Sequence, residues 1–98
     1  MTKDITITQQ IERFYSDWSK MELAAKIGFV VSRQQELNLW ANYLVNNRML
    51  RGFFTSEEKV AVQHLQDIQN VLDRHKAEVN RDIYNELRKE LLKAIMCS

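Results

Sequence analysis

No proline interrupts this chain, and its two glycines are Gly28 and Gly52. Those residue types turn a backbone sharply, and sheets and long loops use them at most reversals. A chain with so few is built from helices joined by short connections, so an all-α fold is expected. The constraint bites hardest over residues 56–96, which contain neither residue. Read literally, they form one helix of about 40 residues, roughly 60 Å long at 1.5 Å per residue. A chain of 98 residues cannot cover such a rod. Either the helix breaks near Val79-Asn80-Arg81-Asp82, with Asn80 or Asp82 capping the new start, or it projects and pairs with another copy; the break is the expectation. The expected architecture is a single helical domain over 1–98, a compact bundle of four to five helices.

Local spacing marks the helices. The first five residues read as a fraying terminus. Thr6 and Gln9 have capping-box spacing, with Thr8 as a rival cap. Ile11, Phe14, Tyr15, Trp18, Met21 and Ala25 then recur at steps of three and four, one face of a helix. Ser19 and Glu22 repeat the capping spacing, so the chain either restarts near Ser19 or runs on to Ile27. Gly28 is expected to end that helix in a left-handed conformation, with Phe29–Val31 as a short link. Ser32 with Gln35 suggests the next start, followed by a stripe of Leu37, Trp40, Ala41, Leu44 and Arg48, widened by Leu39 and Tyr43. Gly52 closes this helix, and Thr55 with Glu58 opens the following one.

Charge and cysteine usage narrow the function classes. The formal net charge is +1, so no global field draws the protein to nucleic acid or to an anionic membrane. The local balance is more basic over residues 20–51, where Lys20, Lys26, Arg33, Arg48 and Arg51 stand against Glu22 and Glu36. Cys97 is the lone cysteine, which suits a reducing, cytoplasmic setting without disulfides. No apolar run is long enough for a membrane span, and the N-terminus has no signal-peptide core. His64 and His75 each have an acid three positions on, Asp67 and Glu78. They lie about 16 Å apart along a helix axis, too far to share one ion, so no metal site and no cofactor are expected. Nothing orders a nucleophile, a base and an orienting acid, so the protein is not expected to be an enzyme.

Residues 20–39 resemble the helix-turn-helix of Cro- and repressor-like regulators. Leu23, Ala24, Ile27, Gly28 and Phe29 stand where that family has small or apolar residues, and Leu37 matches a buried position on its second helix. Gln34 departs from the pattern by falling on the other buried position. The resemblance implies a DNA-binding regulator in which Ser32, Arg33, Gln34 and Gln35 face base edges. The low net charge weighs against it, because such affinity comes largely from phosphate neutralisation.

The aromatic residues favour a different reading. All but Tyr84 lie in the first 54 residues, and a core this small does not easily bury them all. Trp40, Tyr43, Met49, Arg51, Phe53 and Phe54 combine the residue types that dominate interface energetics. One phenylalanine of the Phe53-Phe54 pair is expected to fold under and the other to stand exposed. The expected function is thus to bind another protein as an adaptor, inhibitor or subunit, of a size suited to a phage- or plasmid-encoded inhibitor. The apolar face of residues 83–96 offers a possible homodimer surface.

Overall fold

Thr6 opens the first helix as its spacing predicts: its hydroxyl accepts from the Gln9 N–H, and the Gln9 side chain accepts from the Thr6 N–H. The computed structural model describes residues 6–97, so the expected fraying of the first five residues lies outside the described residues. Within them, five α-helices follow one another: α1 (Ile7–Ser19), α2 (Leu23–Ser32), α3 (Gln34–Arg51), α4 (Ser56–Arg74) and α5 (Arg81–Met96). A 3-10 turn, Lys76–Glu78, separates α4 from α5. No strand occurs among the described residues, and the fold is an all-α bundle. No helix among them is long and apolar enough to cross a membrane.

The break in the C-terminal half falls where expected. Asn80 caps α5, its side-chain oxygen accepting from the Asp82 and Ile83 N–H groups. The reversal folds α5 back onto α4 and lays it along α3. Leu87, Leu91 and Ala94 are fully buried there. The terminal helix therefore closes the bundle, and the face expected to pair with a second copy through 83–96 is consumed inside the fold.

The first half differs from expectation at Gly28. Of the two courses expected before it, the chain takes the restart near Ser19, with a break at Lys20–Glu22, but α2 then runs straight through Gly28, leaving Gly52 as the one left-handed glycine, with φ of 87°. The reason is packing. Ile27 and Val30 are buried, and Phe29 stacks on Phe14 at 4.7 Å. Ending the helix at Gly28 would remove Phe29 and Val30 from that register. Burying such a side chain is worth about 1.5–3 kcal/mol, against a cost of roughly 0.5–1 kcal/mol for a glycine inside a helix. Ser32 is accordingly the last residue of α2, not a cap: its hydroxyl donates to the Phe29 carbonyl.

A polar clasp ties α1 to α4. The Tyr15 hydroxyl donates to Asp67 at 2.7 Å, the His64 ring stacks on Tyr15 at 3.8 Å, and His64 Nε2 lies 2.7 Å from Glu12. Asp67 and Glu12 thus serve as structural partners across the helix pair. His75 sits at the C-terminal cap of α4, 3.6 Å from Glu78. Among the described residues no group of three or more metal-ligating side chains gathers.

Candidate functional site

α3 is apolar on two opposite sides. Its inner side presents Leu37, Trp40, Ala41 and Leu44, all buried. Trp40 lies edge-on to Phe14 at 5.5 Å, and its indole N–H donates to Gln10 Oε1 at 3.2 Å. Its outer side presents Leu39, Asn42, Tyr43, Asn46, Met49 and Leu50, all exposed. Leu39, Met49 and Leu50 are 67%, 73% and 86% exposed, so the outer side is open apolar surface rather than the edge of the core.

The outer side carries no charge, which is unusual for a solvated helix face. On α5 the solvent-facing positions include Arg81, Asp82, Glu86, Arg88, Lys89 and Lys93. Between Leu37 and Asn47 the chain has no charged residue at all, in a sequence that is 28% charged. Exposed apolar residues scattered singly need no explanation, whereas Leu39, Tyr43, Met49 and Leu50 share one side of one helix, which makes that side the candidate contact surface.

The patch continues past the end of α3 because the following loop is held rigidly. Gly52 takes the left-handed turn, and its N–H donates to the Arg48 carbonyl. Thr55 then opens α4 with a reciprocal capping box, Glu58 N–H to the Thr55 hydroxyl and Thr55 N–H to Glu58 Oε1 at 3.0 Å. Glu58 is itself buried, and it also accepts from Asn47 at 3.2 Å and from Arg51. One carboxylate therefore staples the end of α3 to the start of α4. Phe53 is left standing at 58% exposure, with the Arg51 guanidinium 5.7 Å from its ring, while Phe54 turns into the core under Arg48. A cleft of about 450 Å³ opens beside it, lined by Arg48, Phe53, Phe54, Lys59, Ile95 and Cys97 among others.

Glu58 makes the staple sensitive to acid. Burial pushes its carboxyl pKa up, but the Thr55 N–H, the Asn47 amide, Arg51 and the Thr55 hydroxyl together outweigh burial and hold it below the ordinary value. A lowered folded pKa contributes stability that is complete above the unfolded value, about 4.3, and is lost as pH falls through the folded value. Wild type is expected to exceed Glu58→Gln in urea stability at pH 7, and the gap should close progressively in acid below the ordinary glutamate range.

The six residues expected to bind a partner divide. Tyr43, Met49, Arg51 and Phe53 lie on or beside the outer patch, whereas Trp40 and Phe54 are core residues at 4% and 6% exposure. Those two cannot touch a partner directly, which corrects the sequence-based expectation. Leu39, Asn42, Asn46 and Leu50 complete the patch and were not among the expected contacts. The signal that would have found them is the charge-free run from Leu37 to Asn47.

The residues expected to face DNA are arranged otherwise than the resemblance implies. A helix-turn-helix joins its helices through a turn of about three to four residues, whereas α2 and α3 are separated by Arg33 alone. Ala24, the supposed close-approach residue, is exposed. Ser32 bonds its own helix, Arg33 pairs with Glu36 at 2.8 Å and lies 5.1 Å over Phe29, and Gln34 and Gln35 occupy the first turn of α3. Comparison with protein-family models, with curated proteins and with solved structures finds no match to this chain.

Proposed function

We propose that this protein acts by binding another protein chain through the outer side of α3 and the Gly52–Phe53 corner, as an adaptor, inhibitor or subunit. The observation that carries the reading is the exposed apolar surface of Leu39, Tyr43, Met49, Leu50 and Phe53, uncharged along the outer side of α3 and bordered by Arg51, on a chain otherwise rich in charge. Tyr43 and Phe53 are the anchor residues: large, amphipathic or aromatic, and costly to leave in water. Arg51 is pre-organised beside Phe53 by Glu58, so little side-chain freedom remains to be lost on binding. Met49 and Leu50 supply adaptable apolar area around them.

Site-specific photocrosslinking tests this. A benzophenone side chain at position 50 is expected to capture a protein chain in native-host extract, and one at position 89 on α5 is not. Equal capture from both positions, or from neither, would remove the reading.

A further inference from the structure

We propose that the cleft where α3, α4 and the end of α5 converge is a binding site for a small amphipathic monoanion, an aryl or short acyl carboxylate. Phe53 borders both this cleft and the outer patch, but the cleft needs no protein partner to fill it.

The charge of the walls sets the sign of the ligand. Arg48 comes from α3 and Lys59 from α4, and no acid lines the cleft. Neither cation has an ion pair among the described residues. Their own helices cannot supply one, because side chains meet along a helix at three and four positions. At those positions Arg48 has Leu44, Val45, Arg51 and Gly52, and Lys59 has Thr55, Ser56, Val62 and Gln63. Glu58, next to Lys59 in the chain, is already held by Arg51, Asn47 and Thr55. Arg48 is half-buried and lies 5.9 Å over the Phe54 ring, so its guanidinium is kept at the wall of the cleft.

The rest of the lining asks for an apolar body. Phe54 and Val62 are buried, and Ile95 is half-buried beside them. The volume, about 450 Å³, falls within the range of small-molecule sites, about 300–1,000 Å³. A bare inorganic anion would leave the apolar wall in water, and a neutral hydrocarbon would leave both cations unmatched. Polyphosphates are usually held by a cradle of free backbone N–H groups. Here the Gly52 N–H donates to the Arg48 carbonyl and the Thr55 N–H to Glu58. One carboxylate on an apolar body satisfies both halves. Its head lies between Arg48 and Lys59, where a guanidinium donates two parallel hydrogen bonds, and its body lies on Phe54 and Val62. Cys97 also lines the cleft, so a seated ligand shields its thiol.

Titration of the full chain with phenylbutyrate, followed by NMR shifts of the amides, tests the proposal. Saturable shifts are expected at Arg48, Phe54 and Gln63 and in the Gln66 side chain, with dissociation at about 0.1–1 mM. Phenylbutanol, which lacks the charge, and acetate, which lacks the ring, should not saturate up to about 10 mM. Lys59→Gln should weaken binding about threefold and Arg48→Gln about tenfold, with Arg48→Lys recovering part of the loss. Lys59 is exposed, so an unchanged melt for its variant excludes unfolding as the cause. Phenylbutyrate should slow alkylation of Cys97 by iodoacetamide in the wild type and not in the variant lacking both cations. Absence of saturation, equal binding of the alcohol, indifference to both single substitutions, an unprotected thiol, or shifts centred on the α4–α5 turn would each overturn the proposal.

Discussion

Trp40→Ala is expected to destabilise the fold by about 3–5 kcal/mol, the range for emptying a large aromatic site in a packed core. A domain of this size has on the order of 5–15 kcal/mol in total, so the melting temperature should drop by more than about 10 °C. The indole is 4% exposed, packs on Phe14 and donates to Gln10. Trp40→Phe keeps an aromatic ring but loses the hydrogen bond and part of the indole volume, so its cost should be smaller, about 1–3 kcal/mol. Thermal and urea unfolding of the two variants check both the size and the order. Near-native stability of Trp40→Ala would mean that the indole does not occupy the core.

Phe54→Ala and Phe53→Ala should separate by several kcal/mol although the residues are neighbours. Phe54 is buried and its loss should cost about 3–5 kcal/mol. Phe53 is more than half exposed, so its removal should change stability by no more than about 0.5 kcal/mol. Its effect belongs in partner capture instead. Urea titrations of the two proteins, run beside crosslinking from position 50, give a double dissociation: one variant loses stability, the other loses its partner. Equal urea midpoints for the two variants would show that the Gly52 turn does not divide them between core and solvent.

Three helix starts were legible in local chemistry: Thr6 with Gln9, Thr55 with Glu58, and Asn80 cap their helices through partners within three residues. The same spacing at Ser19 with Glu22 and at Ser32 with Gln35 makes no cap, because packing sets where α2 begins and ends. The glycines were not equivalent in the same way. Gly28 and Gly52 look alike as stop signals, but Gly28 is kept helical by what Phe29 and Val30 find on α1 and in the core, which no local pattern encodes. Trp40 and Tyr43 fall three residues apart, close enough in period to be read as one face. Phe14, supplied from α1, selects Trp40 for the interior and leaves Tyr43 outside. The closing role of α5 was open for the same reason: an amphipathic helix declares an apolar face without declaring its cover.

Because α3 is apolar on both flanks, sensitivity to substitution along it should rise and fall in two waves of helical period, displaced by about half a turn. A screen scored by cellular abundance would trace the wave through Leu37, Trp40 and Leu44. A screen scored by complex formation would trace the one through Leu39, Tyr43 and Leu50. The phase between the two profiles then distinguishes residues that maintain the helix from residues that use it.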